Sequence, residues 1–147
     1  MTLRPALLAP LLLLAACDRG PADPRVTQAW IRLPAVPGQP AAAYFTIHGG
    51  RRDDALVEVA SALGPRIELH ASMAGGQGMT TMKPLDMVDV PARGTITFAP
   101  AVRHAMVYGL DTAVAPGTAV PLRFGFRSGG VAEAEAKTVA AGADAPY

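Results

Sequence analysis

The chain has 147 residues, is 50% hydrophobic, 5% aromatic and 17% charged, and carries a formal net charge of +1 from 13 basic and 12 acidic side chains. That length suits one domain with a real core, and the charge balance leaves no basic surplus to hold a phosphate backbone, so no nucleic-acid partner is expected. The single cysteine, Cys17, excludes an internal disulfide and a cysteine-built zinc or iron–sulfur site.

Residues 1–16 read as a secretory signal peptide. Arg4 gives a short positive start, Pro5 to Ala16 carries no charge, and Leu7, Leu8 and Leu11 to Leu14 form an apolar core. This run is too short to cross a bilayer as a helix. It ends Leu14-Ala15-Ala16-Cys17, which resembles the bacterial lipobox. That resemblance implies cleavage before Cys17 and its acylation. Several acyl chains anchor stably, since each buried CH₂ contributes about 0.8 kcal/mol. Asp18 resembles an inner-membrane retention signal, which implies a periplasmic lipoprotein on the outer face of the inner membrane. Cleavage also removes Arg4, so basic and acidic side chains then balance at 12 each. Residues 17–24 read as a tether, 25–140 as the β domain and 141–147 as a flexible tail.

The body lacks a sustained helical period. Short apolar runs separated by Gly and Pro recur instead. They predict strands over Val26–Arg32, Ala42–His48, Leu56–Ser61, Arg66–His70, Thr95–Phe98, His104–Leu110, Ala119–Arg127 and Val131–Val139. Ser128-Gly129-Gly130 joins the last two as a hairpin. From Val131 to Lys137 alanines alternate with Glu133, Glu135 and Lys137, giving one packed face and one wet face. The segment Leu85 to Val90 alternates apolar and acidic residues like an edge strand, with Met87 as packing. The expected class is all-β, an antiparallel Greek-key sandwich or small barrel.

Methionine and histidine collect in one place. Beyond Met1, the methionines are Met73, Met79, Met82, Met87 and Met106, and His70 and His104 bracket the same window. A Gly-rich, polar stretch such as Met73 to Lys83 cannot bury this many thioethers as ordinary packing. Thioether sulfur is soft and suits Cu(I), while imidazole serves Cu(I) and Cu(II). Zinc seldom uses methionine. Thioethers need no deprotonation and escape disulfide chemistry in an oxidising compartment. The pattern therefore points to copper, mainly Cu(I). His104 and Met106 leave one face of a strand, as do Glu68 and His70. A loop carrying Met73 to Met82 is expected to close over the histidines. The third donor stays open among Met82, Met79 and Met73. His48, beside Gly49-Gly50, reads as structural, Trp30 and Tyr44 as anchors of the sheet, and Tyr108 as a cover on one side of the site.

These residues give the chain its resemblance to the periplasmic copper chaperones called PCu(A)C. The family pattern is a histidine at a strand end, about ten residues, a methionine, twenty-one residues, then His-x-Met. Here Ile67-Glu68-Leu69-His70 supplies the histidine and Met79-Thr80-Thr81-Met82 the methionine. Residues 83–103 fill the second gap before His104-Ala105-Met106. The first gap, residues 71–81, is one longer than usual, and Ser72 stands where many members have methionine. Ala29-Trp30-Ile31-Arg32, Ala41 to Ile47 and Tyr108-Gly109-Leu110 extend the resemblance over most of residues 25–139. It implies a cupredoxin-like fold and the ligand set His70, Met82, His104 and Met106, with Met73 and Met79 as alternates or transfer ligands. It also implies copper delivery toward the Cu(A) subunit of cytochrome c oxidase or a thioredoxin-like copper protein. A monomer is expected.

Other function classes fit less well. A blue-copper electron carrier needs a cysteine thiolate, and Cys17 is assigned to the lipid. A copper storage or resistance lipoprotein would bind several copper ions through all five methionines. No nucleophile elbow, H-E-x-x-H or phosphate loop points to an enzyme. A lipoprotein whose sheet only binds another protein would not depend on His104 or Met106 for copper.

Overall fold

The computed structural model describes residues 21–75 and 79–147. Residues 1–20, with the expected signal peptide and Cys17, and residues 76–78 of the glycine-rich stretch lie outside the described residues. Two-residue alternation and Gly/Pro punctuation yield ten strands among those described. They are β1 (Arg25–Arg32), β2 (Ala41–His48), β3 (Asp54–Ala60), β4 (Arg66–Ala74), β5 (Thr80–Leu85), β6 (Val88–Val90), β7 (Thr95–Phe98), β8 (Arg103–Tyr108), β9 (Ala119–Phe126) and β10 (Val131–Val139). The expected all-β, cupredoxin-like class is the one observed, and all eight expected strands are present. No helix among the described residues is long and apolar enough to cross a membrane.

The strands hydrogen-bond in the order β5-β4-β8-β2-β1-β10-β9-β3-β6, with β7 added on β2. β3 and β4, near opposite ends of this path, also pack against each other, so the sheet curls into a nearly closed barrel. Its inside is filled by Ile31, Phe45, Ile47, Leu56, Val107, Leu122 and Phe124, all essentially inaccessible to solvent. Phe45 stacks on Phe98 at 4.2 Å and meets Phe124 edge-on at 4.8 Å. Small residues at the β2–β8 seam, Ala43 paired with Ala105, leave room for those rings. A bulge in β1 between Thr27 and Trp30, with Gln28 at φ 52°, changes the strand's parity. Val26, Ala29 and Ile31 can then all face the core, and Trp30 faces out.

Two expectations need correction. The architecture is not wholly antiparallel, because β1 and β10 pair in parallel. Parallel neighbours need a long crossover, and residues 33–130 supply it. The segment from Met73 to Met82 is also not simply a loop. β4 runs on to Ala74 and pairs with β5 from Ala74↔Thr80 to Leu69↔Leu85, so the residues flanking the glycine-rich stretch form a two-stranded arm. Thr80 and Thr81 are β-branched residues that suit a strand. Pro84 is tolerated because β5 lies on the edge.

At the other side of the barrel, buried Asp54 ties the β9–β10 turn to β3. Its carboxylate accepts the backbone N–H of Ala55 (2.8 Å) and Ser128 (3.0 Å) and the Ser128 hydroxyl (2.6 Å). Burial alone would raise its pKa. The bonds from Ser128 and Ala55, with the nearby Arg127 charge, outweigh burial and hold it below the usual carboxylate value. A depressed folded-state pKa gives stability that is present above the unfolded value and lost as pH falls through the folded one. Asp54→Asn is therefore expected to lower unfolding free energy at pH 7 by about 1–3 kcal/mol. In denaturant titrations the gap from the unsubstituted protein should shrink below about pH 3.8, the ordinary value of the group. A gap that does not change with pH would contradict this role.

Candidate metal centre

The site is set by strand register. In the β4–β8 ladder His70 lies directly opposite His104, and Glu68 opposite Met106. In the β4–β5 ladder His70 lies opposite Pro84, and Ser72 opposite Met82. Directly paired residues leave the same face of a sheet, as do residues two apart. The register thus brings His70, Met82, His104 and Met106 onto the outer face of three adjacent strands. Their neighbours Leu69 and Ala105 point inward and are buried. Met73 pairs with Thr81, so it leaves the opposite face of the arm. Met79 stands just before β5, its carbonyl accepting the Gly75 N–H at 2.6 Å. Both alternates are strongly exposed, at 51% and 66%.

The two imidazoles are 5.6 Å apart between ring centroids and nearly perpendicular, at 84°. Both are buried, with 9% exposure for His70 and 5% for His104. His70 Nδ1 and His104 Nε2 are shielded from solvent and have no hydrogen-bond partner among the described residues. A buried polar atom left unmatched costs about 1–3 kcal/mol, so two such atoms in one place need an explanation. A metal ion shared by the two rings supplies one. Burial pushes the His104 pKa down, and the neighbouring His70 lowers it further. The ring is therefore kept neutral, the form that donates to a metal.

The sulfurs extend this pair toward solvent. Met106 is half-buried beside the histidines, and Met82 lies 57% exposed on the edge strand. Among the described residues no group of three or more His, Cys, Asp or Glu side chains is placed to hold a metal. The thioethers of Met106 and Met82 share the face of the two histidines. Two neutral nitrogens and two neutral sulfurs suit a soft ion of low charge.

The remaining candidates fall elsewhere. His48 Nε2 lies 2.9 Å from Thr27 Oγ1 across the β1–β2 ladder, which is the structural role expected of it. Met87 lies between β5 and β6, its sulfur 3.8 Å from Arg127 Nη1. Tyr108 shares the outer face with Met106, but its ring is occupied by the Arg66 guanidinium at 3.9 Å. On the other flank Tyr44 lies 6.5 Å from His104 and 4.4 Å from Trp30. Arg32 sits over Trp30 at 5.0 Å and donates to the Ala143 carbonyl at 3.0 Å. These outer-face aromatics are buried, so they form a dry wall behind His104. The proximity of Tyr44 to His104 was not legible in the sequence, since it arises only from β2 lying next to β8.

A direct check of this pair is histidine NMR of the metal-free protein. His104 should titrate below the usual pKa of 6.5. His70→Ala, which removes the like charge and opens the site to water, should move that midpoint upward. A midpoint at or above the ordinary value would contradict the buried, paired geometry.

Known proteins place this architecture. A family model described as "Putative lipoprotein LpqE-like" matches residues 25–138. Among solved structures, the copper-bound PCuAC domain from PmoF2 superposes with a TM-score of 0.65 at 22% identity, covering 78% of this chain and 91% of that domain. The apo PCuAC domain from PmoF1 gives 0.63 at 23% identity, with 78% and 92% covered. The Cu(I) form of DR1885 from Deinococcus radiodurans gives 0.63 at 23% identity, with 84% and 83% covered. No curated protein matches the chain. The solved structures establish the shared fold, and with the model spanning residues 25–138 the chain belongs to the LpqE-like family and carries the fold of PCuAC domains.

Proposed function

We propose that the protein is a copper chaperone that binds one Cu(I) through His70, Met82, His104 and Met106 and passes it to a partner by ligand exchange. The observation that carries this reading is the pair of facing, buried imidazoles, each with one shielded nitrogen that lacks a partner among the described residues. Two thioethers on the same face supply soft donors that stay uncharged at any pH. The solved relatives named as copper-bound PCuAC domain and as Cu(I) protein support the metal. Register supports Met82 over Met73 as the third donor, because Met73 leaves the opposite face.

The graded exposure suits transfer. The histidines are buried, Met106 is half-buried and Met82 is exposed at the rim. An incoming donor from a partner reaches Met82 first and displaces it. The imidazoles release last, after the partner already holds the ion. The thioethers of this chain leave without taking up a proton, and any proton balance falls on the incoming donor of the partner. In this reading Cys17 carries the lipid anchor and residues 17–24 the tether. The domain then works at the outer face of the inner membrane, within reach of the Cu(A) subunit of cytochrome c oxidase or a thioredoxin-like copper protein.

Anaerobic Cu(I) titration against a competing chelator tests the proposal. One tight site per chain is expected. His104→Ala and Met106→Ala should each weaken it by more than about tenfold, or about 1.4 kcal/mol. His48→Ala should leave it unchanged. Met82→Ala should speed release to a chelator more than it slows capture. Binding of several ions would favour storage instead, and equal affinity for Zn(II) or indifference to the His104 and Met106 substitutions would overturn the reading.

A further inference from the structure

The outer face of β4 and β8 carries a second row of contacts behind the proposed ligands. Arg66 Nη1 lies 3.4 Å from Glu68 Oε1, and His70 Nε2 lies 3.5 Å from Glu68 Oε2. Each oxygen of the carboxylate thus faces a different partner. The Arg66 guanidinium is itself held against the Tyr108 ring at 3.9 Å, directly across the ladder. Glu68 is therefore fixed from one side and presents its other oxygen to the histidine.

A carboxylate oxygen accepts and cannot donate, so its position 3.5 Å from Nε2 favours the proton on that ring nitrogen. In a neutral imidazole the other nitrogen then holds the lone pair. For His70 that other nitrogen is Nδ1, the atom that is buried without a partner among the described residues. From these contacts we infer that Glu68 is a positioning residue: it fixes His70 as the Nε2–H tautomer and so aims a bare Nδ1 at the metal. His104 then donates through Nε2, its own unpartnered buried nitrogen. The two rings would bind through different atoms, as their near-perpendicular arrangement allows. A carboxylate behind a metal-bound histidine is a recurrent device for fixing the tautomer and raising the donor strength of the ring. The inference rests on the proposed copper site for its purpose, but its core statement concerns the metal-free protein.

The test is two-bond ¹H–¹⁵N correlation NMR on the ¹⁵N-histidine-labelled, metal-free full chain, at a pH where both rings are neutral. The protein should show His70 as a single Nε2–H tautomer. Glu68→Ala should give a mixture of tautomers at His70 while His104 keeps its own pattern. Should Glu68→Ala fail to fold, the tautomer of the unsubstituted protein decides alone. His70 as Nδ1–H, or a tautomer unmoved by Glu68→Ala in a folded variant, would overturn the inference. Cu(I) affinity should fall about 10–100-fold in Glu68→Ala, and Glu68→Asp should restore part of it. The copper reading fails separately. If His104→Ala leaves Cu(I) affinity unchanged, that reading falls, whereas the tautomer result stands or falls on its own spectrum.

Discussion

Everything at the candidate site depends on one register, the alignment that sets His70 opposite His104 between β4 and β8. A slip by one residue would turn every side chain of β4 to the other face. His70 would then enter the core and Leu69 would face water. The register is locked because the alternate residues Leu69, Ala105 and Val107 are buried. The same apolar pattern that builds the barrel therefore fixes the distance between the two imidazoles.

The surroundings turn this pair into a reactive place. The rings are taken from water on one flank by Tyr44 and Trp30 and are lined on the other by Glu68 and Met106. Burial keeps His104 neutral and strips both rings of water that would otherwise satisfy their nitrogens. Retention of two unmatched nitrogens is a cost to the metal-free fold that binding an ion would offset. On the same face Met106 of β8 is half-buried and Met82 of β5 is exposed to solvent.

Much of the fold was legible because alternation and Gly/Pro punctuation are local signals. Glu133, Glu135 and Lys137 against three alanines marked β10, the two-residue alternation after Gly129-Gly130 outweighing the helix preference of an alanine-rich run, and β1 and β2 followed from their apolar runs. The parallel pairing of β1 with β10 was not legible, since nothing local records which strands close a barrel. β5 was hidden because its solvent-rich sequence Thr-Thr-Met-Lys-Pro-Leu has no apolar alternation to announce it. At the site, His104 and Met106 could be read as one face from their spacing alone. The choice between Met73 and Met82 could not, because it depends on where the arm turns and therefore on which residues face each other across it. The partner of Glu68 was half visible: the two-residue spacing put it beside His70, but the contact that orients it came from Arg66 and Tyr108.

Methionine-methyl NMR during Cu(I) titration reads each thioether separately and so shows whether one Cu(I) is held on the face shared by His70, Met82, His104 and Met106. The methyl signals of Met82 and Met106 should shift together and saturate at one equivalent, while those of Met73, Met79 and Met87 stay in place. Shifts at Met73 or Met79 with Met82 unmoved would contradict the account.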